Sequence, residues 1–469
     1  MPESVTEPKP INKRRGLWWK IPLGALVLLL LTFAIFRLVV HQRVVNHLNA
    51  IRDAGYPVTL EELDAWYPEP EGANAADVYQ KAFDAYVKDE VLEETLPVLN
   101  NYLDLPAAGE PFAEEVARDI ESFLVDNAEA LALLEEAARI EDCRFPIDMP
   151  DGIDTLLPHL RGLRRGAKLL QLRSCMAAER GAYTEATDDC VMLFDIARSL
   201  DNEPNAISSL VRISIFRIGF IQAERLIQSG RLSDEMIEQL RRAIDAIQVR
   251  EATQRAIAGE RALAIAIYDD PLKSIRDTSS ISHNQKSSPA TEAAIMFARR
   301  ASGLLTLDKA ALLDVFAVAD GLADLKQWPL DRLEMANDNI PFPYLIARIF
   351  SPIPSLIRVP MQVQALRSVY LAGIAAEKYH RDHGELPARL EDLVPTYLDA
   401  VPTDPFSKQP LRYRLEEGGA IIYSINYDGT DHGGRNLGDG GGQFDEDTDI
   451  TFTFGGLQEK LWPVEIVAD

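Results

Sequence analysis

Seven carboxylates stand within 22 residues near the C-terminus: Asp428, Asp431, Asp439, Asp445, Glu446, Asp447 and Asp449. His432 and Arg435 are the only basic residues among them. Packed together, these groups repel one another unless a cation lies between them. Calcium suits such a loop, because it takes six to eight oxygens at about 2.3–2.6 Å in a flexible cage, whereas magnesium demands a tighter octahedron and keeps more water. The intervening glycines let backbone carbonyls turn inward. The loop is not an EF-hand. Asp445-x-Asp447-x-Asp449 has Ile450 where that motif needs its glycine and Gly456 where it needs its final glutamate. The alternative is an acidic loop that simply stays solvated.

Other chemistry is thinly represented. The seven histidines are scattered, and His380-x-x-His383 with Glu377 is the one near-metal spacing. It falls at the end of a helix, where solvated polar side chains are ordinary. No G-x-S-x-G, P-loop, H-E-x-x-H or G-x-G-x-x-G fingerprint stands in a strand–turn–helix context. Acidic pairs are abundant because the chain is acidic, so they carry no information about glycosidase-type chemistry.

The elements that must position the acidic loop precede it. A helix through Leu366, Tyr370, Ile374 and Tyr379 ends at His383-Gly384, with Gly384 suited to the C′ position. A short helical run follows at residues 390–394, then Val401-Pro402-Thr403-Asp404-Pro405-Phe406. Two strand-like runs come next, 411–414 and 420–424, and then Asn426-Tyr427-Asp428-Gly429 opens the loop.

This order, carried by "YHRDHGELPARLEDLVPTYLDAVPTDPFSKQPLRY", "YSINYDGTDHGG" and "DEDTDI", resembles the globular part of the major (G-type) pseudopilin of type II secretion systems. The resemblance covers about residues 362–452. It implies a long helix packed on a small antiparallel sheet and a calcium-binding C-terminal loop. By position it carries the ligands over to Asp428 and Asp445, with Asp447 or Asp449 and the Ile425 carbonyl beside them. The chain also departs from that family. Gly16 is followed by Leu17-Trp18-Trp19-Lys20-Ile21, without the glutamate of a prepilin-peptidase site, and about 320 residues separate the apolar N-terminal segment from the family-like part. Processing and polymerisation as an ordinary pseudopilin are therefore not expected.

Residues 17–40 read LWWKIPLGALVLLLLTFAIFRLVV, with no charge over 21–36. About 20 apolar residues span a bilayer. Trp18 and Trp19 suit the headgroup level, and Lys20 and Arg37 can snorkel at the two ends. No A-x-A-like cleavage site follows, so the segment is expected to be a retained signal-anchor. Lys9, Lys13, Arg14, Arg15 and Lys20 precede it, which favours a cytoplasmic N-terminus and an extracytoplasmic, periplasm-like body.

With Lys+Arg 48 against Asp+Glu 73, the net charge is −25. Such a surface repels phosphate backbones, so no nucleic-acid partner is expected. It also repels anionic lipid, so contact with the lipid bilayer must be apolar, through residues 17–40.

Between the two ends the pattern is helical. Thr59 and Glu62 form a capping box, with Val58 poised to staple onto Leu63. Asn74 reads as the next N-cap. A hairpin pairs residues 160–180 with 184–200 across Gly181, and "AAERGAYTEATDDC" resembles the turn of tetratricopeptide-type helical pairs. No 34-residue period repeats it. Cys175 and Cys190 lie on opposite arms, where they could bond, although two small buried hydrophobes is the plainer reading. A helix over 206–228 stops at Gly230, and Ser233 caps another.

The expected fold class is α+β. A cytoplasmic tail (1–16) precedes a transmembrane signal-anchor helix (17–40). A large, mostly α-helical domain (41–345) with an irregular TPR-like hairpin contains a mobile loop (276–291). A connector (346–361) leads to a small pseudopilin-like, calcium-binding domain (362–455), a helix on an antiparallel sheet, and a tail (456–469). The expected role is non-enzymatic: structural, or in contact with other envelope proteins. A divergent component of a type II secretion-like apparatus is one alternative, and an envelope hydrolase with a site in the helical domain is another.

Overall fold

Short polar side chains set where the helices begin. Thr59 Oγ1 accepts from the Glu62 amide at 3.1 Å, and Glu62 reaches back to the Val58 amide at 2.8 Å. Asn74 Oδ1 accepts from the Ala76 amide at 3.2 Å and from the Arg144 amide at 2.9 Å. One side chain thus caps a helix and ties it to a segment 70 residues away. Asn205 and Ser233 cap their helices in the same manner.

The computed structural model describes residues 20–100, 105–106, 108–269, 289–326, 331–342, 344–351, 354–434 and 448–454. It is mostly helical, with one small antiparallel sheet near the C-terminus. The first helices are α1 (Lys20–Asp53), α2 (Leu60–Trp66), α3 (Ala75–Asp84), α4 (Glu90–Thr95), α5 (Glu114–Asp126) and α6 (Ala128–Ala138). Next come α7 (His159–Glu179), α8 (Tyr183–Arg198), α9 (Ala206–Gln228), α10 (Asp234–Asp245) and α11 (Val249–Ala266). The last are α12 (Pro289–Ser302), α13 (Leu304–Leu322), α14 (Asp331–Asp338), α15 (Leu345–Phe350) and α16 (Ser355–His383). Strands β1 (Arg412–Glu416), β2 (Gly419–Ser424) and β3 (Ile450–Thr453) pair antiparallel in the order β1-β2-β3.

Helix α1 is a single element from the apolar N-terminal segment into the body. Its residues 20–36 face outward with leucine, valine, isoleucine and phenylalanine exposed, while Val40 and Val44 are buried. It is long and apolar enough to cross a membrane. Helix α9 meets the same criterion of length and apolarity, but it is mostly buried inside the body. Val58, which the staple pattern directs at Leu63, packs instead with Val44, Ile265, Ala310 and Leu313, under the body end of α1. Leu63 belongs to the main core. Arg43 forks onto Asp314 of α13 at 2.6 and 2.8 Å.

Helices α7 and α8 form the expected hairpin, with Gly181 at φ 80° in the turn. The two thiols on its arms are free. Cys175 donates to Gln222 Oε1 and Cys190 to the Gly219 carbonyl, both on α9. Three arginine–carboxylate pairs each have one buried member: Arg173 with the buried Asp189, the buried Arg212 with Asp201, and the buried Arg261 with Asp320. Arg212 also donates to the Gln248 carbonyl at 2.6 Å and lies 4.7 Å over the Phe216 ring. Burial raises the carboxyls of Asp201 and Asp320, and the guanidinium beside each pulls the other way.

Helix α16 is apolar around most of its circumference because it has neighbours on both sides. Helices α9, α10 and α11 pack on one part of it, and β2 and β3 on another. It begins at Ser355, carries Pro360 within it, and ends at Gly384 with φ 77°. The connector expected at 346–361 thus holds part of α15 and the first turns of α16. The mobile loop expected over 276–291 lies outside the described residues up to 288, and α12 begins at Pro289.

Two glycines are required by close approach. At Gly259 of α11 an added Cβ would come 1.8 Å from the Pro204 carbonyl oxygen. At Gly373 of α16 it would come 2.6 Å from the Phe452 ring. The first neighbour is backbone and cannot rotate away, so Gly259→Ala should cost about 3 kcal/mol, the upper part of the overpacking range. The melting temperature of the full chain in detergent measures this. A shift no larger than that of an exposed control such as Gly72→Ala would contradict the packing described.

Candidate metal centre

The acidic loop is held at its base by Asp404. This side chain is fully buried in the turn before β1. It accepts from the Phe406 amide (2.9 Å), Ser407 Oγ (2.8 Å), Ser424 Oγ (2.7 Å) and the Ile425 amide (3.3 Å). The Thr403-Asp404-Pro405 sequence favours such an Asx turn. It fixes the end of β2, from which the loop departs.

Asn426 joins the two ends of the loop. Its φ is 58°, a left-handed conformation that asparagine tolerates better than most residues. The side chain is buried, donates to the Thr448 carbonyl at 3.0 Å and accepts from Gln362 Nε2 at 2.9 Å. The residue entering the loop, the residue leaving it and helix α16 are therefore tied through one amide. A second tie runs from the Gly434 amide to Asp449 Oδ2 at 2.7 Å.

The expected ligands are placed differently. Asp449 is buried, and its Oδ1 has no hydrogen-bond partner among the described residues. Burial pushes its carboxyl up to about 6, against the pull of the Gly434 and His432 amides, while the charge of Asp431 adds to the rise. Asp428 is committed to local bonds: Oδ1 accepts from the Thr430 amide at 3.1 Å, and Oδ2 lies 2.8 Å from His432 Nε2. Ile425 is buried, with its amide on Asp404. Asp445 and Asp447 lie outside the described residues, as do Asp439, Glu446 and Arg435.

Asp431 completes the described part. Its Oδ1 accepts from the Gly433 amide at 2.9 Å, and its Oδ2 takes Arg412 Nε at 2.8 Å. Burial works to raise its carboxyl, but the Gly433 amide and Arg412 together hold it below the usual range. Nearby, burial and the charge of Asp431 push Tyr423 up to about 12. A buried carboxylate oxygen with no proton donor among the described residues, near the charge of Asp431, is a donor type that a hard cation such as calcium accepts. Among the described residues no three His, Cys, Asp or Glu side chains converge into a metal-holding group.

Elsewhere the described surface has two adjoining chambers along α7, an inner one against α3 and α6 and an outer one against α4. The inner chamber, about 140 Å³, is lined by Phe83, Leu134, Leu169, Arg161 and Arg165 among others. The outer one, about 490 Å³, shares Tyr86 and Arg165 and adds Glu90, Glu93 and Lys168. No histidine lines either chamber. The buried His159 is elsewhere, stacked on Phe145 at 4.3 Å and 3.0 Å from Glu203 Oε2. His383 stacks on Tyr379 at 4.0 Å, and Glu377 pairs with Arg381 at 2.9 Å, so both are engaged in local contacts.

In the sequence Asn426 and Asp404 stand within motifs that assign them no role, and Gln362 marks only the start of the pseudopilin-like segment. The signals are an asparagine two residues past a strand and an Asp-Pro turn before one; nothing local marks Gln362. Replacing Asn426 with alanine removes the clamp and strains a left-handed backbone, while glycine restores only the backbone. Asn426→Ala should cost about 3 kcal/mol and Asn426→Gly less, read from denaturant unfolding in detergent. Equal losses from both would mean that φ does not matter there.

Comparison of the chain with protein-family models, with curated proteins and with solved structures finds no match to any of them.

Proposed function

We propose that this chain is a single-pass membrane-anchored protein whose extracytoplasmic body has a structural or interaction role and whose C-terminal acidic loop is closed by calcium. The observation that carries the reading is α1. One uninterrupted helix holds an exposed apolar stretch of membrane-spanning length and then enters the body through Val40, Val44 and the Arg43–Asp314 pair. A cleavable leader has no need of a buried, ion-paired continuation. The body is thereby fixed to its anchor rather than tethered by a linker.

The calcium reading is supported by Asp449, whose buried Oδ1 lacks a partner among the described residues. Asp449 would hold the ion with Asp428, Asp445, Asp447 and the Ile425 carbonyl, the set that the pseudopilin resemblance implies. In water a released loop costs little. Closed, its carboxylates need the cation, and the ion would stabilise the fold by the linkage of binding to folding. The C-terminal part is read as pseudopilin-like because α16 lies on a small antiparallel sheet in the expected chain order.

Two measurements test this. After alkaline carbonate extraction the full chain should remain with the membranes, and release into the supernatant would overturn the anchor. In detergent, millimolar calcium should raise the melting temperature above that in chelator. Asp449→Asn should abolish most of that rise while leaving the chelator value little changed. An equal rise in both proteins would remove Asp449 from the site, and no rise in the unmodified protein would remove calcium.

A further inference from the structure

Over residues 294–301, α12 carries all but one of its apolar residues on the outside. Arg299 points inward and pairs with the fully buried Asp308 at 2.8 Å, and Met296 is buried. Ala294, Ile295, Phe297, Ala298 and Ala301 are exposed, at spacings that place them on one side of a helix. Ile295 is 53% and Phe297 76% exposed. A helix facing water has the reverse arrangement, with charge outward and apolar groups inward.

The anchor identifies what covers this face. Arg37 Nη1 donates to the carbonyls of Arg300 and Ala301 at 3.2 and 2.8 Å. The cation thus caps the C-terminal end of α12, where the helix dipole favours positive charge. Gly303, at φ 82°, lies against the stem of Arg37. From Lys20 to Arg37 the anchor rises about 26 Å at about 1.5 Å per residue, close to the roughly 30 Å of a bilayer's hydrocarbon core. The end of α12 is therefore bonded to the anchor at the level where hydrocarbon gives way to headgroups. Asp308 also accepts from the Ile346 and Ala347 amides, which brings the start of α15 to the same carboxylate. Ile349 on α15, and Phe342 before it, are likewise exposed.

Resting on the reading of α1 as a membrane span, we propose that α12 is an interfacial helix. Its Ile295–Phe297 face lies in the boundary between headgroups and acyl chains of the bilayer that α1 crosses. This second contact fixes the orientation of the body against the membrane surface, which one span alone leaves free to rotate. The contact is apolar, as the net charge of −25 requires, so zwitterionic lipid suffices.

The test places a nitroxide label at Phe297→Cys, Leu29→Cys or Leu415→Cys in the full chain, reconstituted in phosphatidylcholine vesicles. The unmodified chain, treated in parallel, gives the background of its own cysteines. Collisions with oxygen, which partitions into lipid, are compared with collisions with a water-soluble nickel chelate. Positions 29 and 297 are expected to favour oxygen, and position 415, exposed on β1, to favour the chelate. If 297 behaves like 415 while 29 favours oxygen, the interfacial helix is overturned and the anchor stands. If 297 is shielded from both reagents while 29 favours oxygen, protein such as a second copy covers the face, and the proposal is again overturned. If 29 favours the chelate, the anchor reading falls and this inference with it.

Discussion

The buried carboxylate of Glu224 holds the two ends of the body together. Near the C-terminus of α9 it accepts from the Thr453 amide and hydroxyl at 2.9 Å, from Tyr370 at 2.8 Å and from Gln228 at 3.1 Å. A carboxylate in the interior is expensive unless its oxygens are filled. Here they are filled only when β3 and α16 are both in place, so the penalty of leaving them apart falls on the whole structure. The same line is followed by a run of aromatic rings. Phe194 meets Phe220 at 5.4 Å, Phe220 meets Tyr370 at 4.8 Å, and Tyr370 meets Phe452 at 5.2 Å. Helical body and C-terminal sheet thus share one core, which extends from Leu63 to Phe454.

That shared core gives the remaining features a fixed frame. The acidic loop leaves and rejoins the sheet at Asn426 and Thr448; Asn426 is bound to Gln362 of α16, and Thr448 is bound to Asn426. Disturbance of the loop therefore reaches α16 through Gln362. At the opposite end, Asp314 and Asp308 on α13 hold α1 and α12 respectively. The body end of α1 and the two described ends of the acidic loop are consequently held by one packed frame.

The body's arginine–carboxylate pairs, each with one buried member, act in the same way. Arg173, Arg212 and Arg261 each meet a carboxylate on another helix or loop. Such pairs add little net stability over apolar packing, but a mispacked helix would strand a buried charge. In a body of irregular helices without a repeat, they select one arrangement among many of similar apolar burial.

The sequence by itself determined what depends on neighbours in the chain. The apolar span in α1, the caps at Thr59, Asn74 and Ser233, the Gly181 hairpin, the Gly384 stop and strands β1 and β2 were all legible, because each is set by residues a few positions apart. Crowding of the carboxylates at 428–449 was legible for the same reason. Tertiary structure alone decided what joins distant segments. It chose Val44 rather than Leu63 as the neighbour of Val58, and α9 as the partner of both cysteines. It buried Asp449 with no proton donor for Oδ1 among the described residues, while occupying Asp428 locally. It brought Arg37 to the end of α12, 263 residues away. Periodicity reports which face of a helix is apolar. Whether that face meets a core, a sheet or a bilayer depends on where the rest of the chain has gone.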